Sequence, residues 1–481
     1  MKKIDKLFTE FMSTMIKIIF LIIILASICI LFPMLIYSNK GTIVFTMVII
    51  ISFLIGYKTI NLKINHTQKV IILILISLLV RILWLLNAQS TPSSDFKVMY
   101  ESARGLIDGN SSSFKGIGYI ARFPHLTMTV LYMAVNEYLF PKYNLLSMKM
   151  INLFLGLSVL ILLYLIVSQL FESKERSILA LLIGSVFPPF ITYTSVYCSE
   201  NLAMPFYLMS IYLFIKAIKL HKNKALLFCF SSIFLAIGNL FRMVAIVILI
   251  AYFVYILIYY KDKIFKKFTN VLLVVVPYFL IIVSISNILQ KANITENQLW
   301  MGSEPKITNV LKGTNFNSLG MWNTEDAKMI EENLNDYNKL QLKCKKIIYD
   351  RFTNASLPRI FIFYIVKMAS EWCIGDFAGS LWTQKDVPEE KIIFKIGILG
   401  SASFQIFYII ILILALRGVK RKNIIEADSK LNLFYLIFLG YAALYLITEN
   451  QNRYGYIISW VFIILAVDGI SEKIGKIQSE E

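Results

Sequence analysis

The chain has little with which to bind metals or to cross-link itself. Its five cysteines, Cys29, Cys198, Cys229, Cys344 and Cys373, are scattered, odd in number and without a CxxC spacing. Neither a disulfide framework nor a cysteine cluster is indicated. The three histidines, His66, His125 and His221, lie far apart in sequence, which disfavours a histidine metal site. Acids are also scarce: 30 stand against 48 lysines and arginines, for a formal net charge of +18. No folded basic face accompanies that excess, so nucleic acid is not an expected partner. The basic residues lie instead in short segments between apolar runs, as in "MKKIDK", "KAIKLHKNK" (216–224), "KDKIFKK" (261–267) and "RGVKRK" (417–422). This is the positive-inside pattern, and it places these segments on the cytoplasmic side, beside anionic membrane lipids.

Hydrophobic residues make up 57% of the chain, where a soluble protein has about 45–50%. The excess is gathered in runs long enough to cross roughly 30 Å of hydrocarbon. These lie near 15–37, 42–60, 68–88, 125–140, 146–170, 177–197, 200–217, 225–241, 243–260, 271–290, 393–416, 432–448 and 454–470. Backbone in a bilayer must satisfy its own hydrogen bonds, so each run is expected to be helical. The fold class that follows is an all-α polytopic membrane protein of roughly 12–13 transmembrane helices, with amphipathic helices and a small region on the outer face. The first run is too long for a signal sequence and lacks a cleavage pattern, so it is read as a retained span.

Counting spans from an inside N-terminus puts 89–124 and 291–390 outside. One step does not balance. "FESKERS" (171–177) belongs inside, yet two runs separate it from the outer loop ending at Pro124. Either 125–140 fails to span, or the local charge rule misleads. The second outer region carries Trp300, Phe316, Trp322, Trp372 and Trp382 with balanced charge, unlike a disordered tail. Within it, "LPRIFIFYIVKMASEW" (357–372) contains Lys367 and Glu371 and is read as an interfacial helix rather than a span. Four units result: a two-span N-terminal addition (1–67), a membrane core with the first outer loop (68–290), the second outer region (291–390) and C-terminal membrane helices (391–481).

The first outer loop opens with "SDFKVMYESARGL". Phe96, Met99, Tyr100, Ala103, Leu106 and Ile107 recur at helical spacing, while Lys97, Glu101, Arg104 and Asp108 take the other face. An amphipathic helix along the outer surface is expected, with Asp95 at its start. Asp95 is either a helix cap or an acid with chemistry to do; Ser93 and Ser94 already offer caps. Further outward polar residues collect at turns: Glu200 in "YTSVYCSENLAMP", Arg242 in "GNLFRM", and Glu449, Arg453 and Tyr454 in "ITENQNRYGY". Outward arginines run against the positive-inside tendency. They either snorkel or bind an anion such as phosphate.

The run from "SDFKVMYESARGL" through "GYIARFPHL", "FPPFITYTSVYCSENLAMP" and "LFRMVAIVIL" resembles the GT-C superfamily of integral-membrane glycosyltransferases. It is similar to the family 39 group of protein O-mannosyltransferases and lipid A aminoarabinose transferases. The resemblance rests on D-x4-Y-x2-A in the first outer loop, an aromatic-Pro pair before the next run, a Pro and an acid at a later outer turn, "RY" before the last span, and "KGTNFNSLGMWNTED" (312–326). It runs over most of 68–470. Protein O-mannosyltransferases carry Asp-Glu where Phe96 follows Asp95 here.

The resemblance implies a glycosyltransferase of the plasma membrane with its active site on the extracytoplasmic side. It implies transfer, with inversion, from a polyprenyl-phosphate sugar to a glycan, lipid or protein acceptor. Asp95 would be the general base. Arg453 and Arg242 would meet the lipid phosphate, with Tyr454, Glu200, Lys367, Tyr100 and Arg122 contributing to substrate binding. No cofactor is required by this reading, although some relatives bind a divalent metal. Two other readings share the features: a ligase or polymerase of surface polysaccharide, and a transporter or flippase of lipid-linked sugars. A transporter is expected to show repeats and Gly/Pro-broken spans, and neither is evident in the sequence.

Overall fold

The structure, a computed structural model, describes residues 2–37, 39–220, 223–397, 399–421 and 430–477. His221 and part of "RGVKRK" lie outside the described residues. The described chain is helical, and its only β pairing is an isolated bridge between Ala88 and Ile392. Among the described residues eight helices are long and apolar enough to cross a membrane: Ile4–Ile36, Lys40–Asn61, His66–Asn87, Asn144–Phe171, Ser199–Lys219, Lys224–Phe241, Ile264–Lys291 and Ala402–Val419. Two bent pairs, Lys174–Val186 with Pro188–Ser195 and Asn452–Ile458 with Trp460–Ile470, bring the number to ten if each is one span, and two shorter apolar helices, Ile246–Ile258 and Leu431–Ile447, accompany them. The protein is a multi-pass membrane protein.

The two bends, each 58°, correct the expectation of unbroken spans. At the first, Pro188 and Pro189 have no N–H to give back to the preceding turn. The Ser185 carbonyl is therefore left without its own helical donor. Arg81, fully buried in His66–Asn87, points Nη1 at that carbonyl across 3.4 Å and also reaches the Ser77 hydroxyl. At the second bend the chain is a 3-10 stretch whose Gly455 lies against two rings. A Cβ there would stand 2.6 Å from Phe377 and 2.9 Å from Trp372.

Ion pairs mark the two ends of the bundle. At one, Glu172 takes Lys219 at 2.7 Å and Lys430 at 3.8 Å, and Asp262 takes Lys224 at 3.2 Å. At the other lie the helices that do not cross. Thr127–Leu139 has 13 residues and runs beside Asp95–Ile107, with the Tyr100 hydroxyl donating to Glu137 at 3.0 Å. It is not among the helices long and apolar enough to cross; with it left out of the count the imbalance around "FESKERS" is removed, and Asn144–Phe171 runs from the Asp95 end to Glu172.

The segment 291–390 is built, not loose. Ile307–Gly313, Thr324–Glu331 and Tyr337–Thr353 close over Leu311, Ile330, Leu340 and Cys344. Asp326 gathers Arg351, Asn315 and Asn323 at its carboxylate. Leu357–Trp372 exposes Leu357, Phe361, Ile362 and Val366 while burying Lys367 and Glu371. An interfacial helix has this division.

Single cysteines placed at the exposed positions Ser112, Lys142 and Asn335 in a cysteine-free background report on this arrangement. All three are expected to react with an impermeant thiol reagent in intact cells. Reaction at Lys142 only after permeabilisation would mean that Thr127–Leu139 crosses the membrane.

Candidate active site

Asp95 is the first residue of Asp95–Ile107, not its cap. The N-cap position is Ser94, held at φ 52, and no side chain caps the helix. The Asp95 carboxylate is instead half-exposed at the helix start, where the helix dipole favours negative charge. It stands 3.9 Å from Arg453 Nη2. Burial, and then the nearby Asp95 charge, push the Tyr119 hydroxyl well above its usual range. Tyr119 thus keeps its proton beside the carboxylate.

Arg453 is buried, 5% exposed, and its guanidinium lies among three rings: Phe96 at 4.7 Å, Trp382 at 5.1 Å and Tyr454 at 5.5 Å. Cation–π contact offsets part of the lost hydration. Arg242 follows Lys224–Phe241 directly and lies over the other neighbour of this loop, the Tyr454 ring, at 4.9 Å. Between the arginines sits Glu200, 1% exposed, 3.5 Å from Arg242. Glu200 opens Ser199–Lys219 after a hairpin that Asn201 secures by donating to the Tyr193 and Val196 carbonyls. Tyr193 stacks on Tyr456 at 3.7 Å, which couples the hairpin to the Arg453 loop.

Three guanidinium N–H positions in this cluster have no partner: Nε and Nη1 of Arg453 and Nε of Arg242. Buried donors are normally satisfied, because a bare one forfeits its hydration. Glu200 neutralises only one of two arginines, and Asp95 meets the second at long range. The arrangement therefore has unused donors and charge for one oxyanion, next to a carboxylate that can take a proton.

The other residues singled out from the sequence are committed elsewhere. Tyr100 donates to Glu137 and accepts from Asn144 at 2.6 Å. Arg122 binds Glu304 through Nε at 2.8 Å and Nη2 at 2.7 Å, joining the first outer loop to the second region. Lys367 gives all three of its N–H groups to the carbonyls of Gly313, Leu446 and Thr448. Burial pulls its ammonium down to about 8. A lysine so enclosed positions the Arg453 loop and has no donor left for a substrate. Tyr119, Phe96 and Trp382 were missed as site residues; Tyr119 lies within "GYIARFPHL", but nothing local marks it. Among the described residues no group of three His, Cys, Asp or Glu side chains is placed to hold a metal ion.

Residues 126–286 match the model of a family described as dolichyl-phosphate-mannose-protein mannosyltransferase. This bears out the GT-C resemblance. Among solved structures, the archaeal oligosaccharyltransferase AglB from Archaeoglobus fulgidus, in complex with an inhibitory peptide and a dolichol-phosphate, is similar at 13% identity and TM-score 0.46, over 85% of this chain and 51% of that one. The oligosaccharyltransferase of the same organism in the apo form gives 14% identity and TM-score 0.49, over 87% and 51%. The chain spans about half the length of these structures. No curated protein matches it.

Two outcomes are expected on stability. Glu200→Gln leaves two buried arginines without a full counter-charge and should cost about 3–5 kcal/mol. Asp95→Asn, at a half-exposed position, should cost under about 1 kcal/mol. Thermal unfolding of purified variants distinguishes them, and equal stability of Glu200→Gln and wild type would refute the burial argument. The second outcome concerns His125, which burial, Arg242 and Lys306 push down from 6.5 to about 4. The unfolded chain takes the proton first as pH falls, so the His125 contribution is complete above about 6.5 and lost between 6.5 and 4. The melting temperature should fall over that window, and His125→Gln should flatten the fall.

Proposed function

We propose that this protein moves a sugar from a polyprenyl-phosphate-linked donor to an acceptor, a glycan, lipid or protein of the cell envelope, on the outer face of the plasma membrane. The observation that carries the reading is the half-exposed Asp95 carboxylate beside buried arginines with unpartnered N–H groups. The family match over 126–286 supports the same class of enzyme, and the basic segments at the opposite end support the outward placement.

The chemistry is an inverting displacement. A sugar hydroxyl is a weak nucleophile, and a carboxylate within hydrogen-bond reach removes its proton as the new bond forms. Asp95 takes that proton. The acceptor oxygen attacks the anomeric carbon, and the bond from that carbon to the phosphate oxygen breaks with its electron pair. The charge that develops on the lipid phosphate falls to the free N–H groups of Arg453 and Arg242. Glu200 keeps the two arginines together.

This site would draw on three of the four units read from the sequence: Asp95, Glu200 and Arg242 from 68–290, Trp382 from 291–390, and Arg453 from 391–481. A lipid-linked-sugar transporter is the second reading, favoured by the two bent spans. The family match over 126–286 favours the transferase over this reading. A polysaccharide ligase or polymerase would share the displacement and differ in acceptor.

Transfer of labelled sugar from a prenyl-phosphate donor by purified variants tests the proposal. Asp95→Asn should lower the rate at least about a hundredfold with its melting temperature unchanged. Glu101→Gln, on the exposed face, should lose far less. Arg453→Ala should raise the donor KM, and Arg453→Lys should restore it only partly, since a single ammonium cannot replace a forked donor. Normal transfer by a folded Asp95→Asn would remove Asp95 from the chemistry.

A further inference from the structure

Ser94 holds a backbone conformation suited to glycine, and its side chain has no role inside the chain. Ser93 to Phe96 form a β-turn, closed by the Phe96 N–H on the Ser93 carbonyl at 3.1 Å. Ser94 is the first central residue of that turn, at φ 52 and ψ −129. These are type II′ angles, and glycine is the residue that takes that position, because a Cβ crowds the backbone there. The turn is pinned on both sides. Ser93 is 1% exposed and Phe96 is 4% exposed. The Phe96 ring meets Trp382 edge-on at 5.2 Å and carries the Arg453 guanidinium at 4.7 Å. The Ser94 carbonyl accepts from the Lys97 N–H at 3.0 Å, which starts the helix Asp95–Ile107.

Glycine would make this turn with less strain, so the backbone gains nothing from the serine side chain. The ordinary use of a serine before a helix is to cap it. Ser94 does not cap the helix: a capping residue has extended angles, and Ser94 has a positive φ. Its side chain is exposed, and among the described residues its hydroxyl makes no hydrogen bond. Backbone strain of this kind is concentrated where function uses it. The hydroxyl belongs to the residue before the Asp95 carboxylate, with Cα atoms about 3.8 Å apart. The guanidinium of Arg453 stacks on the residue after it.

We propose that the Ser94 hydroxyl is a substrate contact, hydrogen-bonded to a polar group of the acceptor next to the hydroxyl that Asp95 deprotonates. This rests on the glycosyl-transfer reading. In that reading the arginines take the donor phosphate, and the exposed side of the Ser93–Phe96 turn receives the acceptor. A hydroxyl both donates and accepts, so it can meet a hydroxyl or a carbonyl of the acceptor. An acceptor held at Asp95 alone can turn about that one contact. A second contact on the neighbouring residue fixes its orientation for attack.

The test pairs Ser94→Gly, which removes strain and hydroxyl together, with Ser94→Ala, which removes the hydroxyl alone. In thermal unfolding of the purified proteins, Ser94→Gly should melt above wild type and Ser94→Ala close to it. Transfer is then measured from the labelled prenyl-phosphate sugar into an envelope extract of cells lacking this protein. The extract serves as the acceptor and is diluted in steps. Both variants should need about three- to tenfold more extract for half-maximal transfer, which is the loss of one neutral hydrogen bond. The donor KM should not change. A stabilised Ser94→Gly with a weaker hold on the acceptor upholds the contact, since a merely structural serine would not give both. Wild-type dependence on extract in both variants overturns it. So does a Ser94→Gly that melts below wild type, because the turn then carries no strain at serine. Asp95→Asn in the same series separates the two readings. Transfer by folded Asp95→Asn at the wild-type rate removes the chemistry and this contact with it. Loss of transfer in Asp95→Asn with wild-type behaviour of both Ser94 variants removes the contact alone.

Discussion

Two guanidinium groups and one carboxylate, buried together at one end of a membrane bundle, are the constraint around which this end is arranged. Glu200 cannot leave water unless both arginines are near, and neither arginine can stay without Glu200. Each comes from a different part of the chain: one from the start of a span, one from the end of another, one from a 3-10 stretch near the C-terminus. Their meeting requires the hairpin 193–200 and the loop 449–458 to hold their shapes. The hydrogen bonds of Asn201, the Tyr193–Tyr456 stack and the Tyr445 hydroxyl on the Tyr454 carbonyl at 3.0 Å serve that purpose.

Behind this cluster, polar groups are used as ties. Lys367 holds Gly313 and the end of Leu431–Ile447 to the interfacial helix, and Gly320 must be glycine to let the ammonium through. The Glu371 carboxylate accepts from the Gln451 N–H two residues before Arg453. Burial raises its affinity for a proton well above the usual carboxylate range. Arg122 with Glu304, reinforced by the Ser303 N–H on the Ala121 carbonyl at 2.9 Å, closes the first outer loop onto the second region. These contacts put structure behind the site; the Asp95 carboxylate and the free N–H groups remain in front.

Much of this was legible in the sequence, for a physical reason. Apolar runs and basic loops record the bilayer directly, so the passes and their ends could be read. Asp95, Glu200, Arg242 and Arg453 stood out because charge at the outward end of a span runs against the local trend. What could not be read was partnership. Lys367, Arg122 and Tyr100 carry the same chemistry as substrate-binding residues, and their partners lie on segments up to 182 positions away. Trp382 reaches Arg453 only through the fold. The run 125–140 has the composition of a span, and only the structure shows that its helix is 13 residues long and packs along Asp95–Ile107. The bend at Pro188 was visible as a Pro-Pro pair, but the guanidinium that meets it was not.

That last contact couples two distant positions. Pro189 withholds a proton from the Ser185 carbonyl, and Arg81 supplies one from another helix. Replace the proline by a residue with an N–H, and the carbonyl regains its own donor. Arg81, whose Nε and Nη2 are already bare, would then become a buried charge with less to do. Remove Arg81 first, and the proline becomes the fault. The two positions share a partner, so the effects of replacing them are not expected to add. A bend in a membrane helix is kept, on this account, less by the residue that makes it than by the one that has come to depend on it.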